Sequence, residues 1–523
     1  MQYIFVTDAA PGASMHNSVG EFISQQARRN PDKVAVIFED QRWSFADLHQ
    51  RSSALAASLK RLGIVRGDCV SLYSHNCPEW IIAYYAVVNL GAIVNPLNSM
   101  LTSEEAAYAM NDCKARAVIG SSEKIAAMAG VLHKAPLEWR IAFGAGLPDG
   151  AFAFDDLLAA SPSETDCFPD ETIGLDDPCS IGYTSGTTGH PKGALLTHRA
   201  IVMNTAMTAV MHVRTAADVV VSALPCTHVY GNIVMHTMIA YGGTLVLHRS
   251  FDAERVLRSI EAHRATLLEG VPTMYMYLLN SPHLGNFNIS TLTRATVGGQ
   301  TMPEAKMRAV EEMFGCPLLE LWGMTELGGL GATHTLYGPR KHGSIGVALP
   351  HQQIRIVSNE DGETQLPVGE VGELQLRGPI TMQGYVGNPD ATAETLLAGG
   401  WLRSGDLGWM DEDGFVFIVD RSKDLIITGG FNIYPAELER VLAEHPGVAM
   451  VAVGRVADET KGELAKAYVV PRAGVALTVD ELDRHCRERL AAYKVPRLYQ
   501  IVDDLPKTST GKVLRRDLHK LDL

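Results

Sequence analysis

Strand-like and helix-like segments alternate along roughly the first 340 residues, and this alternation limits the fold more than any other feature. Val34–Phe38 is a short apolar run that reads as a strand. Ser44–Leu62 follows as an amphipathic helix with Leu48, Leu55, Leu59 and Leu62 on one face, stopped by Gly63. A helix over Ser18–Asn30 precedes both. Cys69–Tyr73 is a strand, Pro78–Leu90 a helix, and Ala92–Val94 a strand before Pro96. Strands recur at Ala117–Ile119, Val219–Ala223, Thr244–Leu247 and Ala265–Gly270. Strands separated by helices are too far apart in the chain to join as tight hairpins, so they pair mostly in parallel under a helical cover. Near residue 340 the texture changes. Gln353–Val357, Gly372–Leu376 and Gly414–Val419 are short, β-rich and punctuated by Gly, Pro and Asp. Beyond Asp420 comes a compact α+β pattern: strand Asp424–Thr428, helix Pro435–Glu444, strands Val448–Arg455 and Ala465–Val470, and helix Val479–Leu490. The fold class expected is α/β: a large N-terminal body of helix-covered mixed β-sheets over 1–420, with a small β-barrel-like subdomain at about 340–420. A small mobile α+β C-terminal domain over 421–523 follows, with a boundary near Asp420–Lys423.

With 523 residues, such a chain buries its core without disulfides or structural metals. Its eight cysteines have no CxxC or zinc-type spacing, which suits reduced thiols. The charge is −14, from 45 Lys+Arg against 59 Asp+Glu, so a general nucleic-acid or anionic-membrane surface is not expected. No Lys or Arg precedes Arg28, and the longest apolar stretch, Trp80–Val88, is too short for a bilayer. A cytoplasmic protein without a transmembrane segment is expected. The sequence leaves its oligomeric state open, a homodimer being one option.

One loop carries chemistry. In Tyr183-Thr-Ser-Gly-Thr-Thr-Gly-His-Pro-Lys-Gly-Ala194, Gly186, Gly189 and Gly193 let backbone approach a ligand closely. Thr184, Ser185, Thr187 and Thr188 add hydroxyls, and Lys192 adds a cation. Backbone N–H groups with hydroxyls make a phosphate cradle. The loop is not a Walker A motif, because His190 and Pro191 separate Gly189 from Lys192.

This loop resembles the signature of the adenylate-forming superfamily: acyl-CoA synthetases, peptide-synthetase adenylation domains and beetle luciferases. The resemblance continues at Leu321-Trp-Gly-Met-Thr-Glu326, at Trp401-Leu-Arg-Ser-Gly-Asp-Leu-Gly408, at Asp420-Arg-Ser-Lys-Asp-Leu-Ile-Ile-Thr-Gly-Gly430 and at Pro506-Lys-Thr-Ser-Thr-Gly-Lys512. Five motifs in one order span residues 183 to 512. The chemistry the resemblance implies is a carboxylate plus ATP giving acyl-AMP and pyrophosphate. A thiol then displaces AMP to give a thioester.

By that resemblance, Thr184–Lys192 holds the β- and γ-phosphates. Glu326 ligates Mg²⁺, a hard ion suited to carboxylate oxygen, and Thr325 touches the α-phosphate. Asp406 accepts both ribose hydroxyls, and Arg421 adds a second ribose contact. Gly298, Gly299 and Gln300 form the adenine wall. Trp322 either stacks on adenine or shapes the acyl-pocket floor, with Gly323 and Met324 beside it. Lys512 bridges the attacking carboxylate and the α-phosphate in the transition state. Lys423 matches the hinge about which the C-terminal domain rotates between half-reactions, presenting Gly429 and Gly430 to the thiol arm. Lys494, Arg515 and Arg516 either meet coenzyme A phosphates or form a solvated face.

Pro225-Cys-Thr-His-Val-Tyr-Gly231 resembles the motif that ends in an aromatic or His beside the carboxylate, so His228 gates the acyl site, with Val229, Tyr230, Asn232 and Gly323 lining it. A Cys226–His228 nucleophilic dyad is the alternative. On a strand, i and i+2 share a face, but no third group orients the pair and adenylation needs no nucleophile. The Asp that amino-acid-activating members use for the substrate amine is absent here, which implies an acid without an α-amino group. Only eleven residues follow Lys512, so coenzyme A is the expected acceptor. The implied function is an ATP- and Mg²⁺-dependent acid–CoA ligase acting on a fatty or aryl acid. A stand-alone enzyme loading a carrier protein is the alternative, and a non-catalytic nucleotide binder a third reading.

Overall fold

The helix expected over 44–62 runs Phe45–Arg61, and a capping box sets its start. The Ser44 hydroxyl accepts the Asp47 N–H while the Asp47 carboxylate accepts the Ser44 N–H. Leu48, Leu55 and Leu59 on its inner face are fully buried. The next helix, Pro78–Asn89, begins on a proline and is apolar all round, so it is buried on every side. These elements come from a computed structural model that describes residues 18–159, 172–184, 191–421, 424–428, 431–458, 460–507 and 513–522.

Among the described residues the body holds two large mixed sheets. In the eight-stranded sheet, Cys69–Tyr73, Ile93–Leu97, Ala117–Ser121, Trp139–Phe143, Phe152–Ala153 and Pro178–Thr184 run parallel. Lys192–Thr197 adds antiparallel to Pro178–Thr184, and the two-residue strand Gly384–Tyr385 closes that edge. In the nine-stranded sheet, six strands from Leu318–Met324 to Val34–Phe38 run parallel. Gly329–Thr333, Val347–Ala348 and Gln41–Ser44 pair antiparallel at the two edges. Helices Pro78–Asn89 and Val229–Tyr241 share one core with both sheets, which fixes the sheets against each other.

Residues 353–421 form a four-stranded antiparallel sheet, Gln353–Val357, Gly372–Arg377, Leu402–Met410 and Val416–Arg421. Its pairing path is open. The body's core takes up Leu374, Leu376, Leu402 and Val416, and so covers the face that a barrel would turn inward. The last strand starts two residues later than the Gly414–Val419 pattern suggests. Gly414 sits at φ +82° and the Asp411 carboxylate accepts the Phe415 N–H, which makes 411–415 a turn. The C-terminal unit is a five-stranded sheet covered by helices Pro435–Ala443 and Val479–Arg487, with its own core around Leu438, Leu442, Val453 and Leu482. No helix among the described residues is long and apolar enough to cross a membrane.

Candidate active site

The loop expected to cradle phosphates is framed by a hairpin. Strands Pro178–Thr184 and Lys192–Thr197 pair so that Thr184 stands opposite Lys192. The loop's Ser185, Gly186, Thr187, Thr188 and Gly189 lie outside the described residues. The hairpin docks on the 3-10 turn Thr325–Leu327 through a bare backbone. A Cβ on Gly182 would meet the Thr325 Cγ2 at 2.5 Å, well inside contact distance. Glycine at 182 is therefore what lets Thr325 stand against the root of the loop.

Glu326 follows Thr325 and is buried. Its Oε1 accepts the Tyr385 hydroxyl at 2.7 Å. Burial pushes its carboxyl above the ordinary range, and the Tyr385 hydrogen bond opposes that shift. The same Tyr385 ring lies 5.3 Å under the Lys192 ammonium. Tyr385 thus joins the Thr-Glu turn of one sheet to Lys192 on the hairpin of the other. The local sequence carries no signal for it. Tyr385 becomes a site residue only because Gly384–Tyr385 pairs with Leu195 and Ala194 from far upstream. No group of three or more metal-ligating side chains exists among the described residues. A buried carboxylate beside the loop expected to cradle phosphates fits Mg²⁺, which keeps several waters and is held largely by substrate phosphates.

The third group comes from the four-stranded sheet. Asp406 and Arg421 stand opposite each other on adjacent strands, and the Arg421 Nε lies 3.0 Å from Asp406 Oδ1. The Trp322 indole N–H donates to Asp406 Oδ2 at 2.7 Å. Trp322 therefore bonds a residue already expected at the nucleotide, a contact its sequence neighbours do not reveal. Gly298 ends the strand next to Leu321. A Cβ there would sit 2.2 Å from Leu321 Cδ1, and Gly299 has φ +88°, so both positions need glycine. Gln300 follows, half-buried. Gly323 is equally constrained, since a Cβ would meet the Gly329 carbonyl at 2.1 Å. Met324 closes that hairpin opposite Gly329.

Pro225–His228 is a turn, not the strand assumed for the dyad. His228 caps helix Val229–Tyr241, its Nδ1 accepting the Tyr230 N–H at 3.3 Å. Burial pushes the Cys226 thiol up to about 12, so no thiolate is present at neutral pH. His228, Val229 and Asn232 line a cavity of about 50 Å³ with Ser180, Thr227 and Thr325. Tyr230 points elsewhere. Its ring is buried and its hydroxyl donates to Glu269 Oε2 at 3.0 Å.

Lys512, Lys423, Gly429 and Gly430 lie outside the described residues. Around them, the Lys507 ammonium donates to the Tyr277 hydroxyl at 3.2 Å, tying the C-terminal segment to helix Pro272–Leu279 of the body. Arg515 binds Asp420 at 3.0 Å, Asp424 at 3.1 Å and Glu439 at 2.6 Å, a clip across the expected boundary. Lys494 binds Glu437 at 2.7 Å. Arg515 and Lys494 are thus engaged within the protein.

A family profile described as AMP-binding enzyme matches residues 23–386, and one described as AMP-binding enzyme C-terminal domain matches 437–512. The chain is 35% identical to a long-chain-fatty-acid–CoA ligase of Bacillus subtilis strain 168, over 96% of this chain and 94% of that one. It is 35% identical to an indoleacetate–CoA ligase of Aromatoleum aromaticum, over 96% and 98%. The solved structure of the anthranilate CoA ligase AuaEII with anthranoyl-AMP superposes with a TM-score of 0.91 at 26% identity, covering 98% of each chain. With both profiles in order and such relatives aligned end to end, the chain belongs to the AMP-binding enzyme family and is an acyl-CoA synthetase of the adenylate-forming superfamily.

Proposed function

We propose that this enzyme joins an uncharged-bodied monocarboxylic acid, aryl or fatty, to coenzyme A. The observation that carries this reading is the lining of the cavity at His228. It combines Pro96, Leu196, Ile201 and Val229 with hydroxyl and amide groups and His228, and among the described residues no Asp, Glu, Lys or Arg lines it. A substrate amine would lack a carboxylate partner there, and a second substrate carboxylate would lack a cation. Amino acids and dicarboxylates are disfavoured on that ground.

In the first step the carboxylate oxygen bonds the α-phosphorus and pyrophosphate leaves. In the second, the thiol sulfur bonds the acyl carbon, AMP leaves and the thiol proton is released. Thr184–Lys192 cradles the β- and γ-phosphates, Thr325 meets the α-phosphate, and Asp406 with Arg421 holds the ribose. Gly298–Gln300 walls the adenine. Glu326 would hold Mg²⁺ near the phosphates, where the ion would offset their charge. His228 orients the acid. Lys512 approaches from the C-terminal domain, which turns about Lys423 to bring Gly429 and Gly430 to the thiol.

A panel of acids assayed for CoA-dependent AMP release tests this. It should span short to long fatty acids, benzoates, phenylpropenoates, amino acids and dicarboxylates. One uncharged-bodied class should lead. A flat response, or a lead by amino acids or dicarboxylates, sinks the proposal. AMP release that requires a carrier protein in place of CoA selects the carrier-loading alternative.

A further inference from the structure

Asp406 is the ribose acceptor in the reading above, and the structure gives it two fixed partners. Its carboxylate is nearly buried, with Trp322 Nε1 on Oδ2 at 2.7 Å and Arg421 Nε on Oδ1 at 3.0 Å. The backbone is pinned as well, since the Asp406 N–H donates to the Ser404 hydroxyl at 3.0 Å. The indole itself has little freedom. It rests on Gly331, where a Cβ would meet the Trp322 Cζ3 at 2.7 Å. Its strand neighbour across the hairpin is Ala332.

Left to itself, the terminal torsion of an aspartate is broad and roughly two-fold. A carboxylate offers about four acceptor positions, two on each oxygen. The Trp322 hydrogen bond on Oδ2 and the Arg421 ion pair at Oδ1 stop the rotation and leave an acceptor position on each oxygen. Two positions, held in one plane, match the two vicinal hydroxyls of a ribose. Arg421 is a weaker anchor than Trp322, because its side chain is 42% exposed and long. The indole is the short, rigid anchor.

We infer that Trp322 is a positioning residue that reads the ribose through Asp406, its N–H orienting the carboxylate for the 2′- and 3′-hydroxyls. This rests on the assignment of Asp406 as the ribose acceptor. The role differs from adenine stacking, for which any aromatic ring would serve.

The test compares ATP with 2′-deoxy-ATP and 3′-deoxy-ATP in the wild type, in Trp322→Phe and in Asp406→Asn. The readout is the ratio of kcat/KM for ATP over each deoxy analogue. Because each ratio is formed within one variant, a reduced folded fraction cancels. Trp322→Phe keeps the ring and loses the donor, so its ratio should fall about tenfold, with the loss carried by KM for ATP. An unchanged ratio in Trp322→Phe, with Asp406→Asn losing discrimination, overturns the role of Trp322. An unchanged ratio in Asp406→Asn overturns the ribose assignment itself. If Trp322→Phe does not fold, ¹⁵N-labelled tryptophan carries the test. The chain has six Trp, and one indole N–H signal should move upfield on Asp406→Asn as its charged acceptor is lost. No movement overturns the inference.

Discussion

Gly182→Ala is the most direct probe of how the two sheets share one site. The added methyl would stand 2.5 Å from the Thr325 Cγ2. Ordinary carbon–carbon contact is about 3.5 Å or more, so the two groups must separate by about 1 Å. Gly182 lies in a buried strand paired on both sides, whereas Thr325 opens a short 3-10 turn, so the turn yields. Overpacking of this kind costs about 1–3 kcal/mol of stability. Its effect on chemistry is larger in proportion. With Thr325 in its proposed place at the α-phosphate, a 1 Å displacement costs on the order of 10²-fold in rate, or about 2.7 kcal/mol of barrier. ATP–pyrophosphate exchange reports adenylation, and thermal unfolding separates it from loss of fold. The offending atom is a methyl that serine lacks, so Gly182→Ala combined with Thr325→Ser should recover most of the exchange rate, a non-additive pair. Wild-type exchange in Gly182→Ala, or a double variant no better than the single one, refutes the packing argument.

Three further outcomes follow from other parts of the molecule. Lys512→Ala should abolish adenylate formation but leave thioester formation from supplied acyl-AMP largely intact, and equal loss of both half-reactions rules out its role. Glu269→Gln should lower stability by about 3–5 kcal/mol in urea unfolding, because it leaves the buried Arg214 guanidinium without its carboxylate partner; a loss under about 1 kcal/mol contradicts this. Burial pushes the Glu320 carboxyl up to about 8 from an ordinary value of 4.5, and its Oε2 has no partner. The folded protein therefore keeps a proton that the unfolded chain releases. The stability due to this group is complete below about 4.5 and is lost as pH rises to about 8. Unfolding free energy should fall more steeply between pH 5 and 8 in the wild type than in Glu320→Gln, and parallel curves would falsify it.

Much of the architecture was legible because local chemistry and tertiary structure agree. Ser44 with Asp47, and Thr478 with Glu481, form capping boxes that mark helix starts in the chain itself. Cys69–Tyr73 and Thr244–Leu247 are strands over the bounds their apolar runs suggest. The residues proposed to hold the nucleotide stand out because phosphate and ribose chemistry demands glycine, hydroxyl and acidic side chains in tight groups. Contacts between sheets were not legible. Tyr385 is an ordinary tyrosine until its two-residue strand pairs with Lys192–Thr197. Tyr230, two residues after His228, turns inward because Glu269 and Thr296 on neighbouring strands offer its hydroxyl buried partners. The bonds of Lys494 and Arg515 to Glu437, Glu439, Asp420 and Asp424 were equally invisible, since each joins residues far apart in sequence.

The strand order also governs how the enzyme is made. Val34–Phe38 emerges early from the ribosome, yet it pairs with Thr244–Leu247, and the Thr244 hydroxyl reaches the Val34 carbonyl across 210 residues. The eight-stranded sheet gains its last strand only when Gly384–Tyr385 arrives. At about 5–20 residues per second, the 210 residues from Val34 to Thr244 take roughly 10–40 s to synthesise. For that interval apolar strands wait without their partners, the circumstance in which nascent chains need chaperones and are most easily lost to aggregation. Asp406 and Arg421 come later still. A half-made chain can therefore not close its sheets, and the ribose contacts proposed for Asp406 and Arg421 can form only once synthesis has passed residue 421.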